Sequence, residues 1–186
     1  GGASVDEYES GAIKKHELTR QDKEDDRARH VEVLQAQTGP VFCAYRARAG
    51  IRTLIAKLCD GAGPAYDFTA DDGIGHTLWA VSDPAAVQAL AEAFRAVDAV
   101  YIADGHHRAA AACRVRRIQR QKNPAHTGNE PYNQFLAVYF PDDELRILPY
   151  HRVVKDLNGL SEAELMQKIE GRFRVRPGPR PEPDAM

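Results

Sequence analysis

A short stretch near the middle of the chain, VYIADGHHRAAAA, combines side chains and a glycine that suit the binding of an anion. These residues are Asp104, Gly105, His106, His107 and Arg108. The stretch stands where a strand should pass into a helix, and the first N–H groups of a helix are unpaired and lie at its positive end. Gly105 lets the backbone approach a ligand, and Arg108 can grip two phosphate oxygens. The stretch therefore predicts a phosphate site, with both histidines as donors and Asp104 to orient a histidine or hold a metal.

The same stretch has a plainer interpretation. Asp-Gly is a common turn, Asp104 would then only cap the helix, and a histidine and an arginine in a first turn are often solvated. Two adjacent histidines directly after an apolar strand favour the phosphate site over this alternative.

The elements that position this stretch can be predicted from periodicity and end signals. Strands are expected at VFCAYRA, GIGHTLWAVSD and AVYIAD, and helices at about 24–37, at IRTLIAKLCDG, at PAAVQALAEAFRAV and at HRAAAACRVRRIQRQ. Asp83 and Pro84 form a helix start. NQFLAVYF and ELRILPYHRVV flank the turn PDDE and predict an antiparallel hairpin. Ser161 opens a last helix, to about Gly171, with a capping-box pattern.

The mixture of elements predicts an α+β fold, a small mixed sheet with flanking helices and the strand–DGHHR–helix unit at its centre. We expect a flexible lead-in over 1–12, a single α+β domain over 13–174 and a Pro-rich flexible tail over 175–186. The 186 residues suit one domain. The chain opens without Met, which leaves open that it is a piece of a longer protein.

Composition excludes several classes of protein. The net charge of -2 and the pI near 6.4 give no general attraction to nucleic acid or anionic membranes. Three cysteines without CxxC spacing suit a reducing cytosol. No apolar run approaches the roughly 18 residues of a membrane span. We therefore expect a cytoplasmic protein without a membrane partner.

Three motifs together resemble a known family. KKHELTRQDKEDDR, YIADGHHRAAAA and LRILPYHRVV stand in the order found in the bacterial and archaeal family called domain of unknown function 1015. DGHHR is also similar to the phosphate-binding segment of the ParB and sulfiredoxin-like superfamily, which implies that fold here. Within it, the free serine kinases carry a His-Glu dipeptide upstream of DGHHR. This likeness implies an ATP- or ADP-dependent kinase with Mg²⁺ that phosphorylates free L-serine or a similar small metabolite.

The His-Glu dipeptide takes its expected role from that resemblance. Glu17 matches the glutamate that would act as catalytic base, and His16 would help to hold the substrate. Asp104 and His107 complete the expected catalytic group, while Gly105, His106, His107 and Arg108 would bind the nucleotide phosphates. The alternative for Glu17 is a surface acid near a helix start. The charge run that follows is interpreted as a solvated face, although the family likeness draws attention to Asp26-Arg27.

A late His-Arg pair is the last candidate. His151 and Arg152 follow Pro149 at the end of a predicted strand, and we expect them to bind substrate, with Arg152 able to grip a carboxylate or phosphate. The alternative is an ion pair across the hairpin.

Other chemistries are less favoured by the residues. Glu17, Asp104, His106, His107 and His151 carry the atoms of a divalent metal site, but no HExxH or CxxC spacing supports one, so no protein-bound metal is predicted. The basic residues Arg114, Arg116, Arg117, Arg120 and Lys122 are interpreted as a solvated helix face rather than a nucleic-acid surface. The leading alternative to a kinase is a non-catalytic nucleotide- or phosphate-binding regulatory module, followed by a phosphoester hydrolase or nuclease.

Overall fold

The computed structural model describes residues 1–148 and 153–176. The chain divides into two compact units, 1–146 and 147–186, which are treated separately below. The first contains strands β1 Gly2–Ser4, β2 Ile13–Lys14, β3 Val41–Tyr45, β4 Tyr66–Thr69, β5 Gly75–Leu78, β6 Val100–Asp104 and β7 Gln134–Pro141. Its helices are α1 Val5–Ser10, α2 Gln21–Leu34, α3 Ala49–Cys59, α4 Pro84–Arg95 and α5 His106–Lys122. Short 3₁₀ turns span Pro131–Asn133 and Asp142–Glu144.

Five strands form one mixed sheet in the order β1-β7-β3-β6-β2. The pairs β1–β7 and β3–β6 are antiparallel, whereas β3–β7 and β2–β6 are parallel. Strands β4 and β5 form a separate two-stranded antiparallel hairpin. The predicted α+β fold with a mixed sheet and flanking helices is confirmed. The expectation that the DGHHR strand is central is wrong, because β3 holds the centre and β6 lies one strand from the edge.

The core explains why β3 is central. Its alternate residues Val41, Cys43 and Tyr45 are each no more than 3% exposed, as expected for a strand with one face packed on a core. Helix α5 lies on this face through Ala109, Ala112 and Cys113, in the same apolar cluster as Val41 and Cys43. On its other side, α5 packs Ala111 and Val115 against Ala28 of α2. The first unit is therefore layered as sheet, α5 and α2.

The predicted flexible lead-in is part of this core. Gly2 pairs with Leu136 of β7 in an antiparallel register, and Val5 is completely buried. The Tyr8 ring meets the ring of Phe135 edge-on at 6.2 Å between centroids. A three-residue strand followed by a six-residue helix has too few apolar positions to show a period, so only the tertiary contacts reveal it.

A buried arginine ties this N-terminal segment to α5. The Arg116 side chain is 10% exposed, and its guanidinium lies 2.5 Å from Asp6 and 3.3 Å from Glu9. Its Nε donates a hydrogen bond to Asn133 Oδ1 at 3.1 Å. The basic stripe predicted on this helix is therefore interrupted, because one of its arginines points inward.

We expect Arg116→Ala to lower the free energy of unfolding by about 2 kcal/mol, because it leaves the buried Asn133 oxygen and two carboxylates without their donor. Urea denaturation measures this loss. The adjacent Arg117→Ala provides a matched control, since that side chain is 70% exposed and its removal should cost at most about 0.5 kcal/mol. Equal losses in the two variants would contradict a structural role for Arg116.

The hairpin predicted around PDDE does not form in the described residues. β7 ends at Pro141, and residues 145–148 and 153–154 are not in a strand. Both edges of β7 are taken by β1 and β3, so no edge is left for a following strand. The turn instead anchors the segment after β3, because the Asp142 carboxylate accepts a hydrogen bond from Ala47 N at 2.9 Å.

Two helix starts agree with their sequence signals. Asp83 caps α4 by accepting a hydrogen bond from Ala86 N at 2.8 Å. In the second unit, α6 spans Glu162–Glu170, and Ser161 and Glu164 form the predicted capping box. None of the helices in the described part of the chain has the length and apolar character of a membrane span.

Candidate functional site

The His-Glu segment and the DGHHR segment meet at the N-terminus of α5. Strand β2 runs parallel to β6, with Ile13 opposite Val100, so the chain leaving β2 passes the same edge of the sheet as the chain leaving β6. Two backbone bonds fasten it there. His16 N donates to His106 Nε2 at 3.4 Å, and Arg20 N donates to His107 Nε2 at 3.2 Å. The two adjacent histidines thus hold residues 15–20 against the first turn of α5.

The imidazole of His106 is oriented between the backbone and a carboxylate. Because its Nε2 accepts from an amide, the ring proton resides on Nδ1, and Nδ1 lies 3.5 Å from Glu17 Oε2. The ring of His16 packs edge-on against it at 4.4 Å between centroids. The His106 side chain is 2% exposed and the Glu17 side chain is 55% exposed. A buried imidazole therefore lies beside a carboxylate that remains open to solvent.

The surroundings of His106 favour its neutral form. Burial is the main cause that lowers the pKa of this imidazole below its usual value, and the nearby His16 and His107 act in the same direction. The carboxylates of Glu17 and Asp104 oppose the shift without reversing it. The neutral ring keeps one acceptor and one donor, as its two contacts require.

This lowered pKa predicts a pH-dependent contribution to stability. The unfolded chain binds a proton on this imidazole near pH 6.5, whereas the folded chain does so only at lower pH. The free energy of unfolding should therefore fall as the pH drops below about 6.5. Against His106→Gln, the stability advantage of the wild type should shrink between about pH 8 and about pH 5.

Chemical denaturation at several pH values measures that advantage. His76→Gln is the control, because His76 is exposed on the β4–β5 hairpin and its removal should leave the pH profile unchanged. An advantage of constant size across this pH range would contradict the burial effect.

Gly105 adopts a backbone conformation that other residues rarely take. Its φ is +93°, and a Cβ there would lie 3.3 Å from the Cα of Val41. The glycine therefore permits close approach of the β6–α5 turn to β3, in addition to any ligand. As the N-cap of α5, it provides no side-chain hydrogen bond to the first turn. The Arg108 amide donates to Gly105 O at 2.9 Å, which leaves the His106 and His107 amides for other acceptors.

Arg108 points away from the Glu17 side of the helix. Its Nη1 donates to Pro40 O at 2.9 Å and lies 3.8 Å from Asp104 Oδ2. Two residues along a helix turn about 200°, so Arg108 and His106 lie on opposite sides of α5. Asp104 was expected to orient a histidine or to hold a metal. Its carboxylate lies 3.8 Å from Arg108, and the carboxylate beside His106 Nδ1 is that of Glu17.

Some of the predicted site residues are brought together in the structure, and others lie outside the described residues. His16, Glu17, His106 and His107 are brought together, and Gly105 starts the helix beside them. His151 and Arg152 lie outside the described residues. The sequence interpretation missed the contact of Arg108 with Pro40, because Gly39-Pro40 served only as a helix-stop signal. It also missed Arg20, because Arg20 contacts His107 through its backbone amide and a side-chain motif does not indicate such a contact.

One family comparison bears on this site. The family described as "Protein of unknown function (DUF1015)" matches the chain over residues 1–185. The chain belongs to this family. The membership inferred from the His-Glu, DGHHR and Pro-x-His-Arg motifs is thereby confirmed. No curated protein and no solved structure matches the chain, so the likeness to serine kinases and to ParB and sulfiredoxin-like proteins stays a prediction.

In this DUF1015 member, three of the clustered side chains also carry metal-ligand atoms. Nitrogen and oxygen atoms of His16, Glu17 and His106 lie within 4.8 Å of one another. Tetrahedral zinc with bonds of roughly 2.0–2.1 Å holds its ligands about 3.4 Å apart, so the group would have to contract to bind it. His106 would also have to release either the His16 amide or Glu17. The observed contacts therefore suit a carboxylate beside a neutral imidazole better than a metal centre.

Proposed function

We propose that this protein is a small-molecule kinase that transfers a phosphoryl group from ATP or ADP, with Mg²⁺, to the hydroxyl of a small metabolite. Free L-serine is the first acceptor to test. The observation that supports this most strongly is the Glu17 carboxylate, which lies 3.5 Å from the ring of buried His106 and beside the uncapped first turn of α5. Phosphoryl transfer to an alcohol requires a phosphate-binding group and a base for the hydroxyl proton at adjacent positions.

Each residue has a role in the proposed reaction. The amides of His106 and His107 in the first turn of α5 bind phosphate oxygens, whereas Arg108 lies on the opposite side of the helix, against Pro40. The acceptor oxygen bonds to phosphorus as the bond from phosphorus to the donor oxygen breaks, and the hydroxyl proton passes to Glu17. His106 is a positioning residue that keeps the carboxylate in place. His16 is exposed and His107 is half-buried, and both lie at the start of α5, where they can contact the substrate.

The donor's metal would be carried by its phosphates. Mg²⁺ prefers oxygen ligands and keeps several waters, and it would neutralise charge on the phosphate chain. Asp104 is the last residue of β6, next to the start of α5, and its side chain is 76% exposed. It would therefore supply an oxygen ligand without rearrangement of the core.

Two further features support the same proposal. DGHHR and the upstream His-Glu pair resemble those of the free serine kinases, and we propose the ParB and sulfiredoxin-like fold on that basis. The cysteines Cys43, Cys59 and Cys113 are all free thiols, which suits a reducing compartment. We therefore propose a cytoplasmic location.

The test is an acceptor screen with product detection. The chain is incubated with ATP or ADP and Mg²⁺ plus a panel of small alcohols, and phosphomonoesters are detected by phosphorus NMR. A new phosphomonoester that requires one acceptor supports the kinase. Release of inorganic phosphate independent of acceptor would instead establish a hydrolase, and an absence of any product would contradict catalysis.

A non-catalytic phosphate-binding module is the second candidate, and one observation favours it. The hollow next to Arg108 measures about 160 Å³, below the roughly 300–1,000 Å³ of pockets that enclose a whole small molecule. The hollow lies on the opposite side of α5 from Glu17, so a phosphate group bound there has no catalytic base beside it. This candidate predicts phosphate binding without any acceptor-dependent product in the same screen.

A further inference from the structure

The hollow next to Arg108 lies on the opposite side of α5 from Glu17. It is formed by α2, the segment before β3 and α5, and has a volume of about 160 Å³. The polar or charged groups that matter here are Arg27, His30, Thr38 and Arg108. None of the described residues that line the hollow is acidic. A small cavity with hydrogen-bond donors and no carboxylate in its wall is suited to an anion.

The Nε and Nη2 edge of the Arg108 guanidinium makes no hydrogen bond to the described residues. Among the described residues, its one hydrogen bond is made by Nη1, to Pro40 O. The Nε and Nη2 donors form the other edge of the guanidinium, which matches two oxygens of one phosphate or carboxylate. Gly39 adjoins this edge, since a Cβ there would lie 3.2 Å from Arg108 Nε and 3.4 Å from Cζ. A side chain at this glycine would crowd the edge that an anion would use.

Helix α2 contributes a second arginine, Arg27, to the lining of the hollow. Arg27 and His30 are three residues apart on α2 and therefore lie on the same face of the helix. Arg27 Nη2 is 3.1 Å from Asp26 Oδ2, but both side chains are about half exposed, so this ion pair is weak. Asp104 offsets part of the charge of Arg108 from 3.8 Å. Two arginines and one histidine still line a hollow that has no acidic residue in its lining.

We propose that this hollow is a separate site for one phosphate group, either free inorganic phosphate or the phosphate of a small phosphomonoester. The volume fits one such group. Arg108 grips two oxygens, Arg27 neutralises the charge from α2, and His30 and Thr38 donate to the remaining oxygens. The site includes neither Glu17 nor the first-turn amides that are assigned to the proposed kinase, so it exists whether or not the chain transfers phosphoryl groups.

The experiment is a calorimetric titration of the full chain with inorganic phosphate and, separately, with glycerol 3-phosphate. Arg27→Ala removes one charge-assisted contact and should weaken binding of the preferred ligand about tenfold. Arg29→Ala removes the same charge from an exposed position of α2 that does not line the hollow. That control should change the affinity by less than about twofold. The ligand that binds more tightly to the wild type identifies the source of the phosphate group.

Two outcomes would overturn this site. Equal weakening by Arg27→Ala and Arg29→Ala would show only a general charge effect, and an absence of phosphate binding by the wild type would exclude the site. Glu17→Gln separates this proposal from the kinase, because it should leave the Arg27-dependent phosphate affinity unchanged. A failed acceptor screen with intact Arg27-dependent binding would reject the kinase alone.

Discussion

Glu17→Gln should reduce the turnover of the proposed phosphoryl transfer by about 10²–10⁴-fold, which is the range for loss of a general base. Glutamine keeps the size of the side chain and can still contact His106 Nδ1 through its amide oxygen, so the fold and the position of residues 15–20 should persist. What it loses is the capacity to accept the proton of the acceptor hydroxyl. Nucleotide affinity should change little, because the phosphates are assigned to α5.

Steady-state kinetics and a nucleotide titration on the same preparation measure these two effects. Asp22→Asn is the matched control, since Asp22 is a neighbouring exposed carboxylate that pairs with Arg20 at 2.7 Å and not with His106. Its turnover should stay within about twofold of the wild type, as the loss of a surface ion pair is small. Undiminished turnover in Glu17→Gln would exclude Glu17 as the base.

Gly105→Ala should destabilise the fold by about 2–3 kcal/mol and weaken phosphate binding at the same time. The left-handed conformation costs a non-glycine residue about 1–2 kcal/mol. The added Cβ would also lie 3.3 Å from the backbone of Val41, and Val41 belongs to the central strand and cannot move freely. Relief of both strains would displace the start of α5, whose amides are assigned to the phosphate.

Urea denaturation gives the loss of stability, and Gly11→Ala separates its two causes. Gly11 also has a positive φ, of +81°, but no atom lies within 4 Å of its added Cβ. That variant should show only the conformational cost, about 1–2 kcal/mol. Equal losses at the two glycines would show that the contact with Val41 contributes nothing to the requirement for Gly105.

Local signals were sufficient to predict the elements whose ends are marked by helix-starting or capping residues. The Asp83-Pro84 start and the spacing of Val87, Leu90 and Phe94 predicted α4, and the apolar strand before Asp-Gly predicted the β6–α5 junction. Each of these depends on contacts between residues close in sequence. The capping box at the start of α6 was predictable for the same reason.

Pairing between distant segments was not predictable from local signals. Strand β2 has two residues, and nothing in Ile13–Lys14 indicates that it runs beside β6. That pairing, together with the hydrogen bond from His16 N to His106 Nε2, brings Glu17 to His106. Likewise, the compact turn after β7 predicted that this strand is half of a hairpin. In the structure, both edges of β7 are occupied, by β1 and β3. The motifs identified the site residues, but only the sheet register decides which of them meet.

The direction of Arg108 illustrates the same limit. The DGHHR motif suggested one cradle in which both histidines and the arginine face one ligand. Helical geometry divides them, because His106 faces Glu17 while Arg108 faces Pro40. The motif therefore describes two surfaces of one helix start, which is why the kinase site and the proposed phosphate hollow require separate tests.

The central claim is that a nucleotide phosphate binds to the first turn of α5 beside Glu17. Backbone amide NMR of the labelled chain, titrated with ADP and Mg²⁺, tests it most directly because it identifies the amides that respond. We predict saturable shifts of the Gly105, His106 and His107 amides, with a smaller response at residues 15–20. Shifts confined to other parts of the chain, or no saturable shift at these three amides, would contradict the claim.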